Sequence, residues 1–468
     1  MSAPSAEALH AVRSPWSGEI VGRVRWGGAD DAQAAVDAAA GALAAGEWPL
    51  HQRAAALVRA AELVERHGDD LARSICAEAG KPIKLARVEA SRAGGTLLAA
   101  AEAGRGLAGE MVPLGGTAGG AGKLAFTLRV PVGVVAAITP FNFPLNLAVH
   151  KVAPALAAGC PIVLKPAEKT PLTAALLVDL LRDAGVPAGW LNLVIGEPGE
   201  IVDRLLADDR VRLVTFTGSS RIGWDIRARA PRRKVLLELG NSTPAIVAAD
   251  ADLDVAAERL AASAFAFAGQ ACISVQRIYV QRPALEPFLE RFRARADALV
   301  VGDPADERTD VGPVITEEAA ARILASVRGA VEAGARVVTG GDADGALVRP
   351  TILTGVDAAM DVCRREIFGP VAVVAGFDDL EEAIAACNAT PYGLQAGIFT
   401  ASLDDALTAA QRLEFGGVTI NEAPSFRADG APYGGHKESG NTKEGPAYAI
   451  REMTEERLVV VELRGRAG

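Results

Sequence analysis

Near the start of the chain, apolar positions recur with a helical period. Asp30–Glu47 and Gln52–His67 are rich in alanine, and apolar residues spaced three and four apart indicate amphipathic helices. In the second segment, one face carries Ala54, Leu57, Val58, Ala61 and Val64. Gly68 is expected to end that helix, and a third helix continues toward Gly80. This part of the chain is therefore predicted to be helical.

From Val130 the pattern changes to short apolar runs that alternate with helical stretches. The apolar runs are Gly133–Ile138, Ile162–Leu164, Leu191–Ile195, Leu213–Phe216 and Val235–Leu237. The helical stretches between them are Leu172–Ala184, Glu200–Ala207 and Ser220–Ala230. Strands without polar alternation that are linked by helices are typical of a parallel sheet covered on both faces.

A second series of the same kind follows. It contains the strand Ala245–Val247, the helix Ala256–Ala268, the strand Ile278–Val280 and a helix beginning near Pro283, and further pairs continue to about Phe399. We therefore predict an α/β fold with two doubly wound parallel-sheet domains, which meet near Glu238–Ser242. Between the helical start and the first strands, Gly115–Gly122 holds five glycines in eight residues, which predicts a loop or hairpin.

The composition narrows the choice of partners. Of 468 residues, 50% are apolar and 23% charged, with a net charge of −10, so we expect a large core and no nucleic-acid partner. The longest apolar stretch, Leu145–Leu164, is interrupted by His150 and Lys151, which predicts no membrane span. Met1–Pro4 has no basic flank before an apolar block, so we expect no signal peptide and a cytoplasmic protein. Five cysteines without metal-ligand spacing predict reduced thiols and no metal site.

Cys272 is a candidate nucleophile. It follows Gly269, Gln270 and Ala271 at the junction between an apolar helix and the strand around Ile278. A cysteine on such a loop can face a cleft, and its thiolate is a good nucleophile when a base lies nearby. The alternative at this point is a buried cysteine that only fills space.

Two residues could assist such a nucleophile. Glu238 is a single carboxylate at the end of the apolar run Val235–Leu237, and burial there would raise its pKa and suit it to general-base catalysis. Asn142 lies in the Thr139–Pro144 loop, where two prolines could hold its amide beside an oxyanion. The alternatives are a carboxylate that caps a neighbouring loop and an asparagine that forms an Asx turn or a helix cap.

Two strand–turn–helix junctions are candidates for nucleotide binding. Lys165–Pro171 follows a predicted strand at its carboxyl end, where open α/β sheets bind ligands. Lys165 and Glu168 could contact ribose hydroxyls there, or form a solvated charged turn. Phe216–Gly223 offers small residues and free N–H groups at a helix start, which suit a pyrophosphate. Two such turns in one sheet favour a nucleotide.

In this order, the motifs resemble those of the aldehyde dehydrogenase superfamily, and the resemblance runs over nearly the whole chain. It implies that Cys272 is the nucleophile, that Asn142 and the Cys272 N–H form the oxyanion hole, and that Glu238 is the general base. The thiolate would add to the aldehyde, hydride would pass to the nicotinamide, and Glu238 would activate water to hydrolyse the thioester. CoA-acylating relatives tend to lack this glutamate, so a free acid is expected. A non-catalytic protein with the same fold would be signalled by loss of one of these three residues, and all are present.

The resemblance also implies a cofactor site. Lys165 and Glu168 would hold the adenosine ribose, and Glu366 the nicotinamide ribose, with Phe368 beside the ring. Because Glu168 would repel a 2′-phosphate, we expect NAD to be preferred over NADP. The other residues expected along the cofactor are Thr139, Pro140, Phe141, Gly218, Ser219, Gly223, Leu239 and Gly240.

Further positions match the family in part. Lys151 and Glu455 match residues that relatives link to a proton relay with the base, and Tyr433–Gly440 is similar to a C-terminal signature of the family. Asn241 stands where a second glycine is usual, and Cys160 stands where asparagine is common. We expect these two differences to adjust loops without loss of activity.

The segments around Cys272 and Arg427 look like the branch that handles lactaldehyde, phosphonoacetaldehyde and similar small polar aldehydes. Arg427 could bind a carboxylate, sulfonate or phosphonate, or could form an internal ion pair with Asp429 or a neighbour. The phosphonate is disfavoured, because such relatives tend to have His in place of Phe143 and Arg in place of Ala271. Succinate-semialdehyde-type and broad aldehyde dehydrogenases stay alternatives. The residues expected to contact substrate are Phe143, Ala271, Ile273, Phe426, Arg427 and Tyr433.

The resemblance finally implies a domain division and an oligomer. Residues 1–110 and 133–238 would bind the cofactor, and residues 239–430 would form the catalytic domain. Residues 111–132 and 450–468 would bridge subunits, and residues 431–449 would return to the cofactor domain. In the family, the hairpin around Leu124–Val132 and the final strand near Leu458–Leu463 pair between subunits, so a homodimer or homotetramer is expected.

Overall fold

The computed structural model describes residues 9–463 and confirms the α/β fold class. Two mainly parallel sheets are flanked by helices and accompanied by three two-stranded ribbons. The expectation for Met1–Pro4, and the last residues of the 450–468 segment, lie outside the described part. Within that part, none of the helices is both long and apolar enough to cross a membrane.

The described chain begins with a hairpin and four helices. The strands are β1 (Leu9–Arg13) and β2 (Ile20–Arg25), and the helices are α1 (Ala29–Ala44), α2 (Leu50–Arg66), α3 (Gly68–Ala79) and α4 (Ile83–Arg105). The three predicted helices are confirmed, and α4 is an element that the sequence analysis missed. Gly94 and Gly95 lie inside α4 and lower its helix propensity. Its buried alanine face, which packs against α2, stabilises it all the same.

The glycine-rich segment Gly115–Gly122 is a loop, as predicted, with one 3₁₀ turn at Ala118–Gly120. It leads into β3 (Lys123–Pro131). Glu110 and Val112 exchange backbone hydrogen bonds with Thr127 and Ala125 of β3. The glycine-rich loop therefore connects the two arms of a short hairpin, residues 110–112 and β3, which precedes the first sheet.

Five parallel strands form the first sheet. They are β4 (Val134–Ile138), β5 (Ile162–Lys165), β6 (Leu191–Leu193), β7 (Val211–Thr217) and β8 (Lys234–Glu238), in the order β6-β5-β4-β7-β8. The connecting helices are α5 (Asn146–Ala158), α6 (Pro171–Asp183), α7 (Pro198–Ala207) and α8 (Ser220–Arg229). Every residue of β4 and β5 is buried, which explains why these runs show no polar alternation. Strand β6 ends before Ile195, whose carbonyl accepts from Gly27 N–H.

Seven strands form the second sheet. The elements that follow β8 are β9 (Thr243–Val247), α9 (Leu253–Phe265), β10 (Val275–Gln281), α10 (Arg282–Asp297), α11 (Glu317–Glu332), β11 (Arg336–Thr339), β12 (Ala343–Asp344), β13 (Leu347–Val348), β14 (Thr351–Thr354), α12 (Asp361–Arg364), β15 (Val371–Phe377), α13 (Leu380–Asn388), β16 (Gln395–Phe399), α14 (Leu403–Arg412) and β17 (Gly417–Ile420). The sheet order is β11-β14-β15-β10-β9-β16-β17, with β11 antiparallel and the other pairs parallel.

Helix α9 lies three residues earlier than the predicted Ala256–Ala268. It begins early because the Asp252 side chain accepts from the N–H groups of Asp254 and Val255 and so caps the first turn. It ends early because Phe267 and Ala268 adopt left-handed backbone conformations. The alanines of this segment therefore belong partly to the loop that leads to Cys272.

The last elements are α15 (Pro446–Glu452) and β18 (Thr454–Glu462). Strand β18 pairs antiparallel with β3 of the same chain, from Thr454 opposite Pro131 to Glu462 opposite Lys123. The two segments that were expected to pair between subunits therefore pair with each other within one chain. The ribbon leaves apolar side chains exposed at Leu124, Leu128, Leu458, Val460 and Leu463.

The two sheets meet at the carboxyl end of β8. Only Leu239–Ser242 separates β8 from β9, and the segment after β17 returns to this point through bridges between Glu238 and Gly440 and between Tyr433 and Glu444. Residues from both sheets and from this returning segment therefore surround one site.

Candidate active site

A strained loop carries the candidate nucleophile. Phe267, Ala268 and Gly269 have φ values of 50°, 52° and 69°, a left-handed run that costs energy at the two residues with side chains. A Cβ on Gly269 would lie 2.1 Å from the carbonyl oxygen of Gly369. Glycine is therefore required where the chain turns toward Cys272.

Cys272 is partly buried beside an aromatic hydroxyl. Its Sγ lies 2.9 Å from the hydroxyl of Tyr433. Burial raises the pKa of the thiol to about 12, and the Tyr433 hydrogen bond and the Arg427 guanidinium offset only part of that shift. The resting thiol is consequently neutral, and a proton must leave it before it can act as a nucleophile.

The predicted oxyanion donor lies next to the nucleophile loop. Asn142 follows β4, and its Nδ2 donates to the carbonyl of Gln270 at 2.9 Å, two residues before Cys272. Within residues 9–463 its Oδ1 is buried without a hydrogen-bond partner. The contact holds Asn142 against the loop that carries Cys272, and its oxyanion role stays a prediction.

Glu238 ends β8 in a buried position, and among the described residues neither of its carboxylate oxygens finds a hydrogen-bond partner. Burial, reinforced by the nearby carboxylate of Glu444, raises the pKa of Glu238 well above its usual value. A Cβ on Gly434 would approach its Oε1 to 2.6 Å, so glycine makes room for the carboxyl group. A buried carboxyl group with free oxygens and a raised pKa has the properties of a general base.

The predicted partner of Lys151 is corrected. Glu455 lies on β18 with 61% of its side chain exposed, and its nearest cation is Lys234 at 4.0 Å. Lys151 Nζ instead donates to Glu444 Oε1 and to Thr215 Oγ1, each at 3.1 Å, in a buried setting. Glu455 points outward because β18 is an edge strand of an exposed ribbon. The run of charge at Glu455, Glu456 and Arg457 was the signal for that exposure.

Glu444 is the functional carboxylate that the sequence analysis missed. Burial alone would raise its pKa, but the Lys151 ammonium and the Arg427 guanidinium lower it to about 2. The residue precedes Gly445 and Pro446, which start α15, and lies just beyond the Tyr433–Gly440 signature. Its place just after this signature was the sequence feature that could have identified it.

Arg427 forms an internal ion pair, as one of the two alternatives had it, and its main partner is Glu444. Its Nη2 donates to Glu444 Oε2 at 2.9 Å, whereas its Nε lies 3.8 Å from Asp429. The guanidinium carbon stacks 3.9 Å from the ring centre of Tyr433, and Nε is buried without a hydrogen-bond partner. The Arg427 side chain is therefore paired with Glu444, and it lies beside Tyr433, whose hydroxyl contacts Cys272.

A cavity of about 270 Å³ opens in front of Cys272. The cavity is lined by Cys272 and Arg427. Four other residues that were predicted to contact substrate also line it, namely Phe143, Ala271, Ile273 and Tyr433. Phe426 is the exception: its side chain is 58% exposed and is not part of the lining. Its backbone carbonyl accepts from Gln395 at 2.7 Å.

The same cavity has charged walls that the sequence analysis did not single out. Lys81 and Glu89 form a fully buried ion pair, with the Lys81 ammonium 3.7 Å from the ring centre of Phe143. Arg92 of α4 donates twice to Asp429. These residues lie on α4 and in the turn before it, so missing that helix also hid them.

On the opposite side, the predicted nicotinamide-end residues come together. Glu366 Oε1 accepts from Asn241 N–H at 3.1 Å, and a Cβ on Gly240 would lie 2.1 Å from Glu366 Oε2. Burial raises the pKa of Glu366 to about 7. Phe368 packs edge-on against Phe141, with ring centres 5.9 Å apart.

The adenosine-end residues lie along the carboxyl edge of the first sheet. Thr139 N–H donates to the Lys165 carbonyl, and Lys165 Nζ lies 3.8 Å from Glu168. Gly218 follows β7, Ser219 precedes the first residue of α8, and a Cβ on Gly223 would meet Leu239 at 2.5 Å. Small residues at a helix start, packed this closely, form a cradle that fits a dinucleotide. Among residues 9–463, no group of three or more His, Cys, Asp and Glu side chains could hold a metal ion.

Comparison with known proteins agrees with this arrangement. The profile of the Aldehyde dehydrogenase family matches residues 2–459. The chain is 48% identical to 3-sulfolactaldehyde dehydrogenase of Priestia aryabhattai, over 93% of this chain and 91% of that protein. It is 40% identical to lactaldehyde dehydrogenase of Methanocaldococcus jannaschii, over 96% of each.

A solved structure has the same architecture. Glyceraldehyde-3-phosphate dehydrogenase of Methanocaldococcus jannaschii, complexed with NADP, superposes with a TM-score of 0.93 at 39% identity, over 97% of this chain and 98% of that chain. The expected branch is confirmed by the lactaldehyde-type relatives. The chain belongs to the aldehyde dehydrogenase family.

Proposed function

We propose that the enzyme oxidises a small anionic aldehyde, of the three-carbon sulfonate or carboxylate kind, to the free acid with NAD(P) as the hydride acceptor. One observation carries the proposal: Cys272 and the buried guanidinium of Arg427 line the same cavity of about 270 Å³. A cavity of this size suits a small substrate, and guanidinium donors suit planar or tetrahedral anions.

The first half of the reaction uses the nucleophile loop. Cys272 loses its proton, and its sulfur bonds to the aldehyde carbon. The negative charge that develops on the aldehyde oxygen is held by Asn142 Nδ2 and by the Cys272 N–H. Because burial disfavours the thiolate, we expect Cys272 to be activated only once Glu238 or water can take its proton.

The adduct becomes a thioester by losing hydride, for which the bound nicotinamide would be the acceptor, and the second half then uses the buried carboxyl groups. Glu238 takes a proton from water as the water oxygen attacks the thioester carbon, and the carbon–sulfur bond breaks to release the acid. We assign to Lys151 and Glu444, whose charges act on Glu238, the role of taking that proton away, which was expected of Lys151 and Glu455. The unpartnered oxygens of Glu238 leave it free to bind water.

The residues of the cofactor cradle fit a nicotinamide dinucleotide, which supplies the hydride acceptor when bound. Glu366 would hold the nicotinamide ribose, and Phe141 and Phe368 would flank the ring. Lys165 and Glu168 would hold the adenosine ribose, and the start of α8 the pyrophosphate. Glu168 favours NAD, although the Methanocaldococcus structure holds NADP, so both cofactors belong in the first assay.

A neutral hydroxyaldehyde is the second candidate substrate, because the chain is 40% identical to a lactaldehyde dehydrogenase. The higher identity to 3-sulfolactaldehyde dehydrogenase, 48%, favours the anion. Lactaldehyde and 3-sulfolactaldehyde differ only by the sulfonate, so they form a matched pair of substrates.

The test compares these two aldehydes by NADH formation, with succinate semialdehyde and propanal beside them. We expect 3-sulfolactaldehyde to exceed lactaldehyde in kcat/KM by tenfold or more, about 1.4 kcal/mol of transition-state binding. Arg427→Gln should erase most of that lead. Equal kcat/KM values for the pair, unaffected by Arg427→Gln, would assign the neutral substrate.

The hydrolytic step has its own test. Glu238→Gln should give a burst of NADH followed by slow turnover, because acylation precedes hydrolysis. A variant without a burst and with an unaltered steady state would remove Glu238 from the mechanism. Added CoA should not accelerate the wild type, as it would an acylating enzyme.

The remaining proposals concern assembly, domains and location. The exposed apolar side chains of the β3–β18 ribbon support a homodimer or homotetramer that buries them. Light scattering after gel filtration tests this assembly.

We retain residues 1–110 and 133–238 as the cofactor domain, 239–430 as the catalytic domain and 431–449 as the returning segment. The cysteines of the described part are free thiols, which supports a reducing, cytoplasmic location.

A further inference from the structure

A buried ionic cluster joins the substrate cavity to the carboxyl groups of the hydrolytic step. Its members, called here the Arg427 cluster, are Arg427, Glu444, Lys151, His150 and Asp429. Arg427 Nη2 contacts Glu444 Oε2 at 2.9 Å and His150 Nε2 at 3.1 Å. The other oxygen of Glu444 accepts from Lys151 at 3.1 Å. Glu444 is thus held between two cations.

We propose that Arg427 is a positioning residue for thioester hydrolysis: its guanidinium holds Glu444 on Lys151, at the end of the path by which Glu238 passes on the proton it takes from water. The proposal rests on the proposed function only in that the enzyme forms and hydrolyses a thioester. It does not depend on an anionic substrate. Arg427 contacts Glu444 directly, whereas within the described structure it reaches Glu238 only through its charge, which lowers the pKa of Glu238.

The charges of the site support this role. Two carboxyl groups, Glu238 and Glu444, share the buried space with two cations, Lys151 and Arg427. Burial alone would raise the pKa of Glu444, but Lys151 and Arg427 lower it to about 2. Burial and the Glu444 charge raise the pKa of Glu238, and the Arg427 and Lys151 charges lower it. The two groups therefore titrate as a pair.

Other charged groups also face the pair. Lys443 is near Glu238 and donates to the Gly434 carbonyl, and the Cys272 thiol lies near Glu238 as well. His150 of α5 faces Glu444 and contacts Asp429 at 3.0 Å, and its pKa is lowered first by burial and then by Arg427. Asp429 is in turn held by Arg92. Removing Arg427 therefore leaves Lys151 as the one cation in hydrogen-bond contact with Glu444 within the described structure.

The direction of the expected pH shift follows from the number of cations bonded to Glu444. With one bonded cation instead of two, the Glu238–Glu444 pair keeps a proton to higher pH. Because the base must be ionised to activate water, the acid limb of the hydrolysis rate should move to higher pH. We expect a shift of about one pH unit in Arg427→Gln, which is about tenfold slower hydrolysis on the acid side and recovery at high pH.

The experiment measures hydrolysis of the acyl-enzyme against pH, with NAD and propanal as a neutral substrate. Propanal removes any contribution of Arg427 to anion binding. Arg427→Lys, which keeps the charge, should retain the acid limb of the wild type. Arg92→Gln is the matched control, because Arg92 is a cation on the same cavity wall. Arg92 contacts Asp429 and not Glu444. Its acid limb should stay in place.

A double-mutant cycle shows whether Arg427 acts through Glu444. Glu444→Gln removes a like charge from beside Glu238, so its acid limb should move to lower pH while the maximal hydrolysis rate falls. In the Glu444→Gln background, Arg427→Gln should lose most of its effect on the limb. An equal shift in both backgrounds would overturn the proposal, since Arg427 would then act on Glu238 directly.

Two further results would also contradict the proposal. One is an unshifted acid limb in Arg427→Gln, and the other is the same shift in Arg427→Lys as in Arg427→Gln. If Arg427→Gln fails to fold, as judged by loss of NAD binding, the acid limb of Glu444→Gln becomes the deciding measurement. The proposal is overturned if that limb does not move to lower pH. An enzyme that forms no NADH with any aldehyde would instead contradict the proposed function.

Discussion

The two walls of the site are held in shape by different interactions. On the cofactor wall, close backbone approaches set the shape: Gly240 leaves room for Glu366, and Gly223 leaves room for Leu239. On the substrate wall, charged side chains pair with one another, as Arg427 does with Glu444. The cofactor wall should therefore be sensitive to an added atom, and the substrate wall to a removed charge. Cys272 lies between them.

The largest effect is expected where both walls meet. Cys272→Ala removes the sulfur that bonds to substrate, so turnover should fall by about 10⁴-fold or more. The added or lost volume is small, and NAD should still bind, as measured by quenching of tryptophan fluorescence. Substantial turnover in this variant would show that another group performs the chemistry.

The next effect tests the cofactor wall with one added methyl group. The Cβ of Gly240→Ala would lie 2.1 Å from Glu366 Oε2, and must displace that carboxylate. We expect the KM for NAD to rise by tenfold or more, about 1.4 kcal/mol, with a smaller change in the KM for aldehyde. Gly41→Ala in α1 is the control, because a Cβ there meets nothing within 4 Å. Equal cofactor KM values in both variants would show that Glu366 is not needed in its present place.

The turns of the cofactor wall were predictable from the sequence, and the ion pairs of the substrate wall were not. Strand–turn–helix junctions such as Phe216–Gly223 are local, and their residues are neighbours in the chain. The Arg427 cluster instead joins residues of α5 to residues near the end of the chain, and the pairing Lys151–Glu444 spans 293 residues. Side-chain pairing over such a distance follows from how the elements pack, which no local pattern contains.

The fold shows the same division. Buried strands such as β4 and β5 were found because both faces are covered and the runs are apolar throughout. Helix α4 was missed because its stability comes from tertiary packing of small residues, despite Gly94 and Gly95. Missing it also concealed Glu89 and Arg92 on the cavity wall.

A smaller effect concerns pH on the cofactor wall. Burial raises the pKa of Glu366 to about 7, so the carboxylate fraction increases through neutral pH. Because an ionised carboxylate is the stronger acceptor for ribose hydroxyls, NAD binding should tighten roughly fivefold between pH 6 and pH 8. Glu366→Gln should show weaker binding with little pH dependence, measured by titration calorimetry. The same pH dependence in wild type and variant would assign the titration to another group.

The smallest effect separates the two glutamates that were candidates for the relay. Glu455→Gln removes a charge that is 61% exposed on β18 and 4.0 Å from Lys234, where water screens it and ion pairs contribute little. Steady-state kcat should change by less than about twofold, within the range of surface substitutions. Glu444→Gln removes a buried charge held by Lys151 and Arg427, and should slow hydrolysis far more. If Glu455→Gln were instead the slower enzyme, the relay would have to pass through the β3–β18 ribbon, and the division between a charge-sensitive cavity wall and an insensitive exposed strand would fail.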